Sequence, residues 1–223
     1  MRRPLVSDEL WKRVEPLLPK RPDRHRQYAG RKPAGDRETF EGIVFVLKTG
    51  IPWNALPATQ VWPSGATCFR RLMWWYHHGV WQRLLEQLLA ELRAAGKLDM
   101  RLAVIDSSLI RAMRGGDDTG PSPVHRGKPG SKHHLLADAE GTPLAIELTG
   151  ANRHDITQLL KLVEAIPPIR GKPGNPKRRP RRIQGDRAYD SEPHRKFLKK
   201  RKSSHSSPEG AHHTAPAWAR HAG

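Results

Sequence analysis

Apolar residues recur at helical spacing through roughly the first hundred positions and at strand spacing after them. Ser7 is placed to cap a helix, with Asp8 and Glu9 in its first turn and Leu10, Trp11, Val14, Leu17 and Leu18 on one face; Pro19 ends it. HRQYAGRKPAGDR is polar and broken by Gly and Pro, which predicts a loop. Arg37–Thr49 then reads as a helix with Phe40, Ile43, Val44 and Leu47 on its core face and Gly50 as its C-terminal cap. Ser64–His77 and Val80–Leu92 are two further helices joined by a short GV link, within the segment Gly50–Leu92 that holds five of the seven tryptophans.

After KLDMR the period shortens. LAVID is a β-rich apolar run, and KHHLLADAEGTPLAIELTG reads as two strands around the turn AEGT, so 101–150 is expected to form three strands. Asp155 is placed to cap a helix carrying Ile156, Leu159, Leu160 and Val163, which Pro167 and Pro168 stop. GKPGNPKRRPRR is a basic loop, RRIQG a strand running into the acidic GDRAYD, and Glu192–Lys202 another helix. The pattern predicts an α N-terminal region followed by an α/β domain built on a mixed sheet.

Charge narrows the class of partner. The 223 residues carry a formal net charge of +18 and a pI near 10.8, an imbalance that folding does not require and a polyanion explains. A DNA-acting protein and an RNA-coating basic protein both fit. Cys68 is the single cysteine, so no disulfide within the chain and no cysteine-built zinc site is available, which fits a reducing cytoplasm. MRRPLVSDELW lacks the apolar core of a signal peptide and no apolar run is long enough to span a bilayer, so a soluble cytoplasmic protein with no membrane partner is expected.

Two aspartates stand out by position. Asp106 ends the apolar LAVI and Asp186 follows RRIQG, so each is expected to project from the end of a buried strand. Carboxylates converging on adjacent strands in so basic a chain point to Mg²⁺, with Mn²⁺ as the alternative, and to phosphoryl transfer on nucleic acid. Strand-end or turn aspartates with no chemistry are the competing reading. Lys177, Arg178, Arg179, Arg181 and Arg182 in the loop, Arg31 and Lys32 before it, and Arg70 and Arg71 on an exposed helical face are the candidate phosphate contacts; simple solvation is the alternative for each. His133, His134 and His154 do not have zinc spacing and read as exposed strand or cap histidines. RGKPGSK lacks the closing Ser or Thr pattern of a P-loop.

The strings IDSSLIRA, RGKPGSKHHLLADAEGTPLAIELTGANRHDITQLL and GDRAYDSEPHRKFLKKR resemble bacterial insertion-sequence transposases of the DDE type, in the insertion-sequence-five family. LVSDELWKRVEPLLP, GRKPAGDRETFEGIVFVLKTGIPWNALP and FRRLMWWYHHGVWQRLL resemble the helical region that precedes the catalytic domain there. The resemblance runs from about Leu5 to Lys200. It implies a ribonuclease H-like domain that uses Mg²⁺ to cut element ends and join them to target DNA, with double-stranded DNA as partner and a homo-oligomer as the assembly to consider. Asp106 matches the family's first catalytic carboxylate and Asp186 its second; Met113 departs from it, standing where the family often has histidine.

The family's third carboxylate, a glutamate in a pattern like HGSGLG, two residues, RWVVE, has no counterpart in this reading frame. Asp190 and Glu192 are too close to Asp186, and Glu209 lies in the unpatterned SSPEGAHH. Yet HHTAPAWARHAG, read one base out of step, permits His, Gly, Ser, Gly and Leu in order from His213, forces Gly from Trp218 and Ala219, and permits Arg and Trp at its end. The tail is therefore read as off-frame from near Lys199 to Ser203, through either gene decay or a programmed frameshift. The expected organisation is a helical DNA-binding region at 1–98, an incomplete ribonuclease H-like domain at 99–202 that has lost its last strand and covering helix, and a disordered tail at 203–223. Such a chain would bind DNA without completing strand transfer; a repressor that occupies element ends is the second reading.

Overall fold

The computed structural model describes residues 5–21, 33–57, 62–113, 115–201 and 203–206. Arg31, Lys32 and the tail from 207 onward lie outside the described residues. Two compact units form, Met1–Gln87 and Leu88–Gly223.

The first unit is helical. Helix α1 (Asp8–Val14) begins where predicted, with Ser7 accepting from the Leu10 amide at 3.2 Å, and runs into a short 3₁₀ turn. Helix α2 (Asp36–Thr49) ends at Gly50, whose φ of 69° closes the last turn at no steric cost. Its buried face is Phe40, Ile43 and Val46; Leu47, expected in the core, is 64% exposed, because the face drifts one position along the helix. Helices α3 (Gly65–His77, capped by Ser64) and α4 (Val80–Ala94) follow. The core is aromatic: Phe40 lies within 6.0–6.2 Å of the Trp11, Trp75 and Trp81 rings, beside the buried Cys68. Arg83 ties α4 to the end of α1 through the Leu17 carbonyl at 2.8 Å.

The division into these two units falls inside α4. The helix is continuous, and its last turns belong to the second unit: Leu89 and Arg93 are buried, and the Arg93 guanidinium donates to the Ile169 carbonyl.

In the second unit, β1 (Leu102–Arg111), β3 (Pro129–Asp138) and β4 (Pro143–Gly150) form an antiparallel meander, with the two-residue β2 (Gly120–Pro121) beside the start of β3. Helix α5 (Ile156–Ala165) crosses to β5 (Arg182–Gln184), which pairs parallel with β1. Helix α6 (Glu192–Lys200) leads to β6 (Ser204–Ser206), parallel to β5. The order β4-β3-β1-β5-β6, three antiparallel strands then two parallel crossovers, is that of a ribonuclease H-like domain.

The last strand of the sheet is therefore present. It lies in the segment expected to be disordered, and it forms because backbone pairing with β5 does not depend on which side chains the strand carries. Buried Leu159, Leu162 and Val163 of α5 join Ala103, Ile105, Leu136 and Ile183 in the core. The opposite sheet face, by the register of β1, β3 and β4, leaves Val104, Ile110, Ile146 and Leu148 exposed.

Candidate active site

The parallel pairing of β1 and β5 brings the two aspartates together. The ladder matches Leu102 with Arg182, Ala103 with Ile183 and Val104 with Gln184, and Asp106 and Asp186 each stand two residues further on. Asp106 is not at a strand end as expected; β1 continues past it to Arg111 because β3 pairs with it along that whole length. Alternation puts Asp106 on the open face, whereas Ile105 and Ser107 point the other way, Ile105 into the core. Gly185 lets the end of β5 approach: a Cβ there would lie 2.6 Å from Ile105 Cγ2 and 3.2 Å from Tyr189 Cβ.

Asp186 opens a 3₁₀ turn (Arg187–Tyr189), accepting from the Ala188 amide at 3.0 Å, while Asp106 accepts from the Ser107 amide at 2.7 Å. The turn ends in Tyr189, which is 1% exposed. Its phenol lies 3.1 Å from His134 Nδ1, and His134 Nε2 is 2.9 Å from Thr149 Oγ1. The Thr149 hydroxyl donates to the Gly150 carbonyl at 3.3 Å, so it accepts from Nε2–H; Nδ1 is then bare and accepts from the phenol. Burial holds His134 below its ordinary pKa, against the opposing pull of Asp155, which keeps the ring neutral as this order requires. Burial also pushes the Tyr189 phenol up; the charges of Asp155, Asp106 and Asp186 push the same way, so both candidate carboxylates act on one buried hydroxyl.

Three of these groups were misread or missed in the sequence. His134 is fully buried rather than an exposed strand histidine; the alternation in KHHLLAD, with Leu136 and Asp138 also buried, carried that signal. Asp155 stands at the cap position of α5 but makes no cap bond, and instead lies 2.9 Å from the Lys132 ammonium. Tyr189 had no signal short of the folded turn.

The candidate phosphate contacts separate into two kinds. Lys177, Arg178, Arg179, Arg181 and Arg182 are exposed and engage no side-chain partner among the described residues. Arg70 is exposed, but Arg71 is not on that face: it is 15% exposed, pairs with Asp36 at 3.3 Å and stacks over Trp74 at 5.1 Å. Arg21, Thr67, Arg70, Arg71 and Trp74 line a shallow pocket of about 410 Å³.

Among the described residues no group of three or more His, Cys, Asp or Glu gathers at one point, and no helix is long and apolar enough to cross a membrane. Two carboxylates on adjacent strands fit a magnesium ion, which takes one or two protein carboxylates and fills its shell with water and substrate phosphate oxygens.

Comparison with known proteins supplies the family. Residues 6–85 match the model described as "Putative transposase of IS4/5 family", and residues 97–220 match "Transposase DDE domain". The chain is 49% identical over 123 residues to the "Insertion element IS402 uncharacterized 16.2 kDa protein" of Burkholderia cepacia, covering 55% of this chain and 84% of that one. It is 60% identical over 87 residues to the "Putative transposase for insertion sequence element IS402" of the same organism, covering 39% of this chain and 41% of that one. Among solved structures, a piggyBac transposase synaptic complex with hairpin DNA is similar at a TM-score of 0.42 and 12% identity, over 89% of this chain and 48% of that one. The Mos1 strand transfer complex is similar at 0.33 and 13%, over 79% and 59%.

Proposed function

This chain belongs to the DDE transposase family, and from that premise we propose that Asp106 and Asp186 are two of the carboxylates with which it cuts and joins DNA. The observation that carries the reading is the shared offset of both aspartates beyond Val104↔Gln184 on parallel strands. A divalent metal, Mg²⁺ or Mn²⁺, would supply charge stabilisation for phosphoryl transfer when bound there. The chain's own part is to hold two hard oxygen ligands on neighbouring strands and to present DNA to them. In the family's reaction, water displaces the 3′ oxygen at an element end, and the released 3′ hydroxyl then displaces a 3′ oxygen in target DNA. The exposed cations from Lys177 to Arg182 contact the DNA backbone.

The chain 1–223 alone is proposed to bind DNA without completing this reaction, because the family's third carboxylate has no counterpart in its frame. The family match through residue 220 weighs the other way. In favour stand the out-of-step match of the tail and a relative element, IS402, for which two separate chains are named, each matching part of this one. Purified 1–223 should give no Mg²⁺-dependent strand transfer on element-end DNA, and a frame-restored chain should gain it. Asp106→Asn or Asp186→Asn in the restored chain should abolish it. Strand transfer by 1–223 overturns the missing-carboxylate reading; activity that survives Asp106→Asn overturns the site. The DNA downstream of codon 198 separates a slippery A-rich heptamer from simple gene decay.

The exposed basic loop also favours a second reading, in which 1–223 occupies element ends and represses transposition. Footprinting with end-specific protection and no cleavage is the expected result; loss of all binding refutes it.

A further inference from the structure

The ladder between β1 and β5 stops at Val104↔Gln184, so the pairing does not reach the two aspartates themselves. A side-chain link takes over there. Asp106 is followed by Ser107, whose side chain turns to the same face as the Tyr189 phenol, and Tyr189 closes the 3₁₀ turn that Asp186 opens. The phenol reaches His134 on β3, directly opposite Ser107 in the register, which anchors the turn to a second strand. Gly185 lacks the side chain that would keep Tyr189 and Ile105 apart.

We infer that Tyr189 is a positioning residue: its hydroxyl, held by His134 and through it by Thr149, anchors the turn that carries Asp186 to the strand paired with β1 and so fixes the spacing of the Asp106 and Asp186 carboxylates for metal binding. The aromatic ring alone would fill the same core space as phenylalanine. The hydroxyl is what joins the end of β5 to β3, and through the β1–β3 ladder to β1, where the β1–β5 pairing no longer does. A buried hydroxyl bonded to a buried histidine on the neighbouring strand holds the turn that presents Asp186, and loss of a group that orients a metal ligand typically weakens the site 10–100-fold.

This inference rests on the assignment of Asp106 and Asp186 as metal ligands, and the test separates the two. Mn²⁺ is titrated into the full 1–223 chain and followed by electron paramagnetic resonance, with Tyr189→Phe, Thr149→Ala, Thr149→Ser and the double variant Asp106→Asn/Asp186→Asn alongside. The double variant should lose the Mn²⁺ site; if it binds as wild type does, the ligand assignment itself fails. Given that loss, Tyr189→Phe should raise the Mn²⁺ Kd about ten-fold and broaden the bound-ion spectrum, with its circular dichroism unchanged. Thr149→Ala should weaken binding likewise and Thr149→Ser, which keeps the hydroxyl, should restore it. A Tyr189→Phe chain that folds and binds within two-fold of wild type overturns the inference. If Tyr189→Phe does not fold, equal binding by the two Thr149 variants overturns it instead.

Discussion

The basic loop offers the sharpest test of how the chain meets DNA, because its charges have nothing else to do. Lys177, Arg178, Arg179, Arg181 and Arg182 are exposed and have no side-chain partner among the described residues. Changing all five to glutamine removes five cations while leaving backbone pairing at Arg182 intact, since that ladder uses only main-chain groups. Each phosphate contact contributes about −0.9 to the slope of log K against log salt, so five contacts account for a slope of about −4.5. Between 50 and 200 mM salt the wild-type chain should therefore lose about 500-fold more affinity than the variant. Fluorescence anisotropy on a labelled 30-base-pair duplex of arbitrary sequence measures this, because phosphate contacts do not read bases. Slopes that agree within about one unit would refute the reasoning and leave the loop a solvated surface. Two single variants sharpen the test. Arg70→Ala should reduce the slope by about one, whereas Arg71→Ala should leave it unchanged, its guanidinium being committed to Asp36 and Trp74.

Arg71→Ala should instead cost the helical unit about 1 kcal/mol, read as a lower thermal midpoint, through the lost ion pair and the lost stack on Trp74. Gly185→Ala places a methyl 2.6 Å from Ile105 Cγ2 and should destabilise the second unit by about 1–3 kcal/mol while weakening Mn²⁺ binding, since the adjacent Asp186 must shift. Burial lowers the pKa of both His134 and His205, so the unfolded chain takes up protons first as pH falls. Their contribution to stability is full above the ordinary histidine value of about 6.5 and is lost as pH falls through the lowered folded values. Urea midpoints should drop from pH 7.5 to pH 5; a midpoint that holds constant would contradict that burial.

Much of the architecture was legible because periodicity and capping are local. Ser7, Gly50 and Ser64 end or begin helices where the pattern put them, and the AEGT turn joins two strands as predicted. The two aspartates were legible as strand-associated, but only the parallel register showed that they sit side by side. What failed was longer in range. Leu47 and Val46 are neighbours on a helix whose core face is decided by packing against α3, and periodicity alone does not choose between them. Arg71 looked like a surface cation until Asp36 and the indole of Trp74 claimed it. Asp155 stood in a cap position, and a lysine on β3 outcompeted the helix amides for its carboxylate.

The segment Ser204–Ser206 shows how a strand can form where its sequence is ill suited to it. Parallel pairing with β5 satisfies the main-chain groups that face it, so even Ser-His-Ser occupies the edge position. The side chains pay the cost. The His205 side chain is 1% exposed, and neither ring nitrogen finds a hydrogen-bond partner among the described residues; Asp190 lies 3.5 Å from Nδ1 without bonding geometry. An unmet buried polar group costs about 1–3 kcal/mol, which an apolar β-branched residue of smaller volume would avoid. His205→Val should therefore raise the urea midpoint by an amount equivalent to about 1–3 kcal/mol and shrink the loss of stability between pH 7.5 and pH 5. That is the behaviour of a position whose residue was not selected for its place in the sheet, as an out-of-step reading of the tail requires. If His205→Val is less stable than wild type, the ring is held in a productive pair with Asp190, and the frame shift must fall after β6 rather than before it.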